Sequence, residues 1–215
     1  MKILGIDPGT ARMGWGILDV NGTNLDSRLG AFETSKDILT HPQRLLVLYN
    51  SLLRKMREEQ PDVVAVEKLF FNHNVRTVMA VGEGRAMVML AAAQSKTRDG
   101  APIELVEYTA LTAKLTLAGH GRADKKLMME AVYRILGISG NDSRLQERGA
   151  KDDAADALAM ALTHHYKMTG QAAEPIEIEK KVSSASKARA KAKEEKEENK
   201  RQKVLAGKGS KISGK

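Results

Sequence analysis

The stretch that decides the fold is the opening one, residues 1–10, which reads MKILGIDPGT. Residues 2–7 are mostly apolar, which predicts a buried strand inside a sheet, yet this strand ends in the carboxylate of Asp7. Pro8 and Gly9 follow at once, and Asp-Pro-Gly is also an ordinary turn sequence. Asp7 is therefore either a turn residue or an acid held for its chemistry at the end of a central strand.

The residues that follow predict a sheet that begins with hairpins. Asn21-Gly22 lies between two runs of β-forming residues and indicates a tight turn, so the first three strands should run antiparallel. A helix then follows Thr40, and strand-like and helical segments alternate as far as a strand over 103–108. We expect an α/β fold with a mixed five-stranded sheet, in which three antiparallel strands precede βαβ crossovers and helices flank the sheet.

Composition separates a globular domain, residues 1–170, from a basic tail, residues 171–215. The chain has 215 residues, of which 42% are hydrophobic, enough for one domain with its own core. The tail holds 13 Lys/Arg and 7 Asp/Glu but no aromatic residue, and we expect it to be disordered or partly helical. The first 170 residues carry 22 basic and 20 acidic residues, so charge suggests a polyanionic partner without requiring one.

The absence of cysteine and the short apolar runs limit the cellular compartment and the kinds of metal site that we expect. The chain has no cysteine, which excludes a disulfide framework and a thiolate metal site. Its opening apolar run is too short for a secretory signal, and no run approaches the ~18 apolar residues of a membrane span. We expect a cytoplasmic protein without a membrane partner.

Three further acids are candidates for one site together with Asp7. Glu67 ends the apolar strand VVAV, and Asp153 and Asp156 lie three residues apart in the last predicted helix, so they share a face. A helix dipole accounts for Asp152 and Asp153 at the start of that helix, but less well for Asp156 beside its apolar run. A buried charge costs several kcal/mol unless it is paired or metal-bound. All four acids can converge at one end of the sheet, and such oxygen ligands favour Mg²⁺ or Mn²⁺.

Three stretches together resemble a known family. They are GIDPGTARMGWGILD (5–19), AVEKLFF (65–71) and DDAADALAMALTHH (152–165), and in this order and spacing they resemble the RuvC-type Holliday junction resolvases of the ribonuclease-H-like superfamily. The resemblance covers about residues 1–168. It implies a structure-specific endonuclease for recombination and repair, which resolves four-way (Holliday) DNA junctions by paired, metal-dependent phosphodiester hydrolysis and leaves 5′-phosphate ends.

The resemblance also assigns roles and partners. Catalysis and metal binding fall on Asp7, Glu67, Asp153 and Asp156, with two Mg²⁺ ions for each site and Mn²⁺ as a substitute. Lys114 and Lys125 match positions that face the junction DNA, and Phe70 matches an aromatic residue that stacks on an unpaired base. The family further implies a homodimer, which the small residues and methionines of residues 82–94 suit, and cooperation with the RuvA–RuvB branch-migration complex.

Other functions remain open on the sequence. The actin/hexokinase-like ATPases share the Asp-x-Gly-Thr start, but they need a second domain. A ribonuclease-H-like nuclease acting on RNA, such as the YqgF-like family, would share the same acids. A non-catalytic junction-binding protein is a third possibility, although the small net charge of residues 1–170 argues against binding through the DNA backbone alone.

Overall fold

The computed structural model describes residues 1–68, 75–139, 142, 151–171 and 173, all within one unit, Met1–Ile176. For residues 75–77 and 151 only the backbone is described. The elements are β1 (Lys2–Asp7), β2 (Arg12–Asn21), β3 (Asn24–Glu33), α1 (His41–Glu59), β4 (Val63–Glu67), α2 (Val75–Ala93), β5 (Glu104–Tyr108), α3 (Ala110–Ala118), α4 (Lys125–Ile135) and α5 (Lys151–Thr169). This order is the predicted one. The division between domain and tail stays a prediction, because nearly all of the tail lies outside the described residues.

The five strands form one mixed sheet in the order β3-β2-β1-β4-β5. β1 pairs antiparallel with β2 and parallel with β4, and β4 pairs parallel with β5. The predicted hairpin is present, since Asn21 pairs with Asn24 and Gly22 takes a φ of 63°, which glycine adopts readily. The predicted α/β fold is confirmed, with the strand that ends in Asp7 at its centre.

Helices cover both faces of the sheet. On one face, α1 and α2 pack against β1 through side chains that include Leu4, Ile6, Leu48, Leu52 and Val88. On the other face, α3, α4 and α5 form a second core. Alternating side chains along β1 contribute to each core, as expected for a strand buried on both sides. Within the described ranges, no helix is long and apolar enough to cross a membrane.

Glycines let α5 lie directly on the middle of the sheet. A Cβ atom at Gly5 would overlap the carbonyl oxygen of Ala157, and one at Gly14 would overlap that of Asp153. Because these glycines lack side chains, the α5 backbone rests against β1 and β2 with almost nothing between them. This contact brings the first two turns of α5 to the end of β1 that carries Asp7.

Candidate active site

Two acids reach the site from neighbouring parallel strands. β1 and β4 run side by side with Ile6 opposite Val66, so Asp7 and Glu67 lie at the same edge of the sheet. Functional side chains often lie at the carboxyl ends of adjacent parallel strands, because the residues that end both strands lie at the same edge of the sheet. The structure therefore brings together the two strand-end acids predicted from the sequence.

Asp7 and Glu67 line a cleft of about 220 Å³, which we call the acidic cleft. Its other walls come from α3, α4 and α5. The lining residues are Ile6, Asp7, Glu67, Ala110, Lys114, Lys125, Met128, Asp156, Ala159 and Met160. Both predicted lysines thus face the same space as three of the four predicted acids.

The electrostatics of Asp7 show that the other three predicted acids all act on it. Burial raises the pKa of Asp7 to about 7, and repulsion from Asp156, Asp153 and Glu67 adds to this effect, while Lys125 opposes it. Burial also raises the pKa of Asp156, although a hydrogen bond from Lys125 works in the other direction. Asp153 does not line the cleft, but its charge reaches Asp7. The cleft therefore holds negative charge that its own cations do not fully balance.

Two cations pair with the acids of α5. Lys125 Nζ lies 3.1 Å from Asp156 Oδ2 and 3.7 Å from Asp152 Oδ2. Arg12 Nη1 lies 3.2 Å from Asp153 Oδ2, and Arg12 Nε lies 2.9 Å from Glu33. Lys125 thus lies near both Asp152 and Asp156, although Asp152 does not line the cleft.

The residues present fit a divalent metal ion by their chemistry. The donors are carboxylate oxygens, which hard cations prefer, and the pKa of Asp7 is raised first by burial and then by repulsion from the other acids. Among the described residues, no three acidic or histidine side chains are already gathered at metal-binding spacing. Asp153 and Asp156 are instead paired with Arg12 and Lys125, so a metal ion held by all four acids would require these two carboxylates to leave their present partners.

Neither His164 nor His165 lines the cleft. Phe70 lies outside the described residues. His164 is buried, and its Nδ1 forms a 2.9 Å hydrogen bond with the hydroxyl of Tyr108, which braces α5 against β5. Burial lowers the pKa of His164 and keeps its ring neutral near pH 7. His164 and His165 are not among the residues that line the cleft, which agrees with a packing role.

Sequence reasoning assigned no role to two arginines of the site. Arg12 binds Asp153 across 141 positions of chain, and Arg85 of α2 donates a 2.7 Å hydrogen bond to the carbonyl oxygen of Glu67. Nothing marks Arg12 in the sequence, since surface arginines are common. Arg85 does carry a signal, because residues 86–93, which follow it in the same helix, are all small or apolar.

Comparison with known proteins identifies close relatives of the chain. A family model described as "Crossover junction endodeoxyribonuclease RuvC" matches residues 3–164. A protein of that name from Chloroflexus aurantiacus is 44% identical over 167 residues, covering 77% of this chain and 93% of the relative. One from Desulfitobacterium hafniense is 44% identical over 166 residues, with the same two coverages.

Solved structures agree with the sequence relatives. The structure of Thermus thermophilus RuvC matches with a TM-score of 0.63 and 32% identity, covering 80% of this chain and 99% of that one. The same protein in complex with a Holliday junction substrate matches with a TM-score of 0.63 and 31% identity, covering 80% and 98%. The match confirms the ribonuclease-H-like class of the fold.

Proposed function

The chain belongs to the RuvC family of crossover junction endodeoxyribonucleases, and from that premise we propose that Asp7, Glu67, Asp153 and Asp156 form the metal centre with which it cuts four-way DNA junctions. The enzyme is an endonuclease that acts on DNA, and its family depends on divalent metal. The proposal assigns this chemistry to particular residues and to Mg²⁺, two ions for each site, with Mn²⁺ as a substitute.

One observation carries the assignment. The pKa of Asp7 is raised to about 7 by burial and by three other acids, which reach it from β4 and α5. If Asp7 were only a turn residue, this repulsion would serve no purpose. It lowers the stability of the folded protein whenever the cleft holds no added cation. Carboxylates assembled against their mutual repulsion are typical of sites that bind a cation.

The side chains of the cleft divide the work of hydrolysis. A bound divalent ion supplies charge neutralisation for the phosphate and activates water. The four carboxylates supply the oxygen ligands that hold such an ion. Lys114 and Lys125 face the same cleft and attract the scissile phosphate, and Lys125 exchanges Asp156 for the phosphate as its partner. Hydrolysis breaks the bond between phosphorus and the 3′ oxygen, which leaves a 5′-phosphate and a 3′-hydroxyl.

An exposed apolar surface on α2 supports a homodimer. Met79, Met89 and Leu90 are each more than half exposed, although such side chains are usually buried in a monomer. A four-way junction is nearly two-fold symmetric, so a C2 dimer would place one cleft on each of two opposing strands. We include this dimer in the proposal, with α2 at its interface.

Family membership is the basis for three further parts of the proposal. The enzyme acts in the cytoplasm and cooperates with the RuvA–RuvB branch-migration complex. Phe70 stacks on an unpaired base at the crossover, where such stacking contributes about 1–3 kcal/mol for each base. A fourth part rests on composition and not on the family: the basic tail, residues 171–215, adds DNA affinity that does not depend on sequence and weakens with salt.

Substrate comparison tests the proposal against its alternatives. The purified protein is incubated with Mg²⁺ and, in separate reactions, a labelled four-way junction, a linear duplex of the same sequence, an RNA–DNA hybrid and ATP. We expect symmetric paired nicks in the junction and little cleavage of the duplex or hybrid. Faster cleavage of RNA, or hydrolysis of ATP, would contradict the proposal.

A further inference from the structure

Arg85 ties the end of β4 to α2, the helix on the face opposite α5. Its Nη1 donates a 2.7 Å hydrogen bond to the carbonyl oxygen of Glu67, and its Nη2 forms an ion pair with Glu107 of β5. The Arg85 side chain is only 14% exposed. The guanidinium is therefore largely shielded from water and has two fixed hydrogen-bond acceptors. One of them is the backbone carbonyl of Glu67, which is a proposed metal ligand.

The hydrogen-bonding pattern of the sheet explains why the carbonyl of Glu67 accepts a hydrogen bond from a side chain of α2. The N–H of Lys68 donates to the carbonyl of Tyr108 on β5, so the carbonyl of Glu67, on the other side of the same peptide unit, faces β1. The paired register ends at Ile6 and Val66, and in a ladder continued one step further the nitrogen of Pro8 would face that carbonyl. A proline nitrogen carries no hydrogen, so the ladder ends there and Arg85 supplies the missing bond.

The preceding residue of α2 touches the other strand end. A Cβ atom at Gly84 would lie 3.1 Å from the nitrogen of Gly9 and 3.1 Å from the carbonyl carbon of Pro8. The helix backbone therefore packs closely on the residues that follow Asp7. Consecutive positions of α2 thus pack against the residues that follow Asp7 and bond the backbone of Glu67.

We propose that Arg85 is a positioning residue for Glu67: it replaces the ladder donor that Pro8 lacks and so fixes the strand end from which the Glu67 carboxylate projects. This inference rests on the proposed metal-binding role of Glu67. Arg85 bonds the backbone and does not touch the cleft, so its effect should appear in metal affinity and not in junction affinity. Outer residues that orient metal ligands typically change metal affinity by about 10–100-fold when removed.

The test compares Arg85→Gln with a matched arginine at the opposite end of the sheet. Arg28 pairs with two carboxylates, Asp19 at 2.9 Å and Glu59 at 2.6 Å, and Arg28→Gln serves as the control for losing an arginine ion pair away from the cleft. Mn²⁺ binding to the DNA-free protein is measured by water-proton relaxation, and junction binding is measured in chelator. We expect Arg85→Gln to weaken Mn²⁺ binding about 10-fold, with unchanged junction affinity and no such loss in Arg28→Gln. Equal Mn²⁺ affinity in the two variants would overturn the proposal.

A rescue variant tests the donor argument directly. In Arg85→Gln with Pro8→Ala, residue 8 regains an N–H that can bond the carbonyl of Glu67. We expect the double variant to bind Mn²⁺ more tightly than Arg85→Gln alone, and no recovery would overturn the inference. Should Arg85→Gln fail to fold, Arg85→Lys, which keeps a donor and the charge, replaces it, with an expected loss of about threefold, below the full effect of removing an outer partner.

Glu67→Gln separates failure of this inference from failure of the proposed function. If Glu67→Gln loses Mn²⁺ affinity while Arg85→Gln keeps it, only the role of Arg85 is wrong. If Glu67→Gln binds Mn²⁺ as tightly as the wild type, the metal-binding role of Glu67 is wrong, and the role of Arg85 is overturned with it.

Discussion

The metal-free enzyme should be stabilised by Asp7→Asn, a substitution that removes one of its proposed ligands. The pKa of Asp7 is about 7 in the folded protein and 3.8 in its ordinary state. Because the folded-state value is raised, Asp7 favours folding below pH 3.8, and this contribution is lost as the pH rises to 7. Above pH 7 the folded protein holds a buried carboxylate among three others without a metal ion to offset it.

The size of the effect follows from the same pKa values. The difference between 3.8 and about 7 corresponds to about 4 kcal/mol, at about 1.4 kcal/mol for each pH unit. We therefore expect the free energy of unfolding of Asp7→Asn to exceed that of the wild type by up to about 4 kcal/mol at pH 8. The difference should shrink steadily towards pH 4, where the wild-type carboxyl is protonated.

Urea unfolding in chelator at pH 5, 6, 7 and 8 measures this difference. Asp37→Asn, which changes an exposed aspartate, is the control and should match the wild type at each pH. Saturating Mg²⁺ should raise the stability of the wild type and leave that of Asp7→Asn nearly unchanged. The reasoning is refuted if Asp7→Asn is no more stable than the wild type at pH 8, or if its advantage does not depend on pH.

Three further predictions concern the packing, the dimer and the tail. Gly5→Ala should lower the free energy of unfolding by about 3 kcal/mol, because the new methyl group overlaps the carbonyl of Ala157. Gly82→Ala, whose Cβ meets open space, should not lower it. Chemical denaturation of the two variants measures this difference. Met89→Glu should weaken the proposed dimer in sedimentation experiments. Met168→Glu changes a similarly exposed methionine and should leave the dimer intact. Equal effects of the two substitutions would place the interface elsewhere. Truncation after Gly170 should reduce junction affinity and its dependence on salt, and an unchanged salt slope would exclude the tail from DNA binding.

Much of the fold was predictable because local signals agree along the chain. Asn21-Gly22 indicated the hairpin between β2 and β3. Continuous apolar runs, which place apolar side chains on both faces of a strand, marked β1 and β4 as internal strands. The acids at the ends of those strands were recognisable for the same reason, since a carboxylate is rare after a buried run. Resemblance to a family then linked them with Asp153 and Asp156.

The supporting contacts could not be predicted from the sequence. Arg12 reaches Asp153 only because glycines let α5 rest on β2, and no local pattern reports such a close approach. The bond from Arg85 to Glu67 depends on the register of two strands and on the proline that ends one of them. The position of Asp152 near Lys125 likewise depends on how α4 packs beside α5.

Cleavage of a labelled four-way junction by the wild type and by Asp7→Asn, each with Mg²⁺ and with chelator, tests the central claim most directly. We predict symmetric paired nicks only for the wild type with Mg²⁺, while Asp7→Asn binds the junction with similar affinity and leaves it intact. Cleavage by Asp7→Asn at the wild-type rate, or by the wild type in chelator, would contradict the claim that the acid at the end of β1 serves a metal-dependent nuclease.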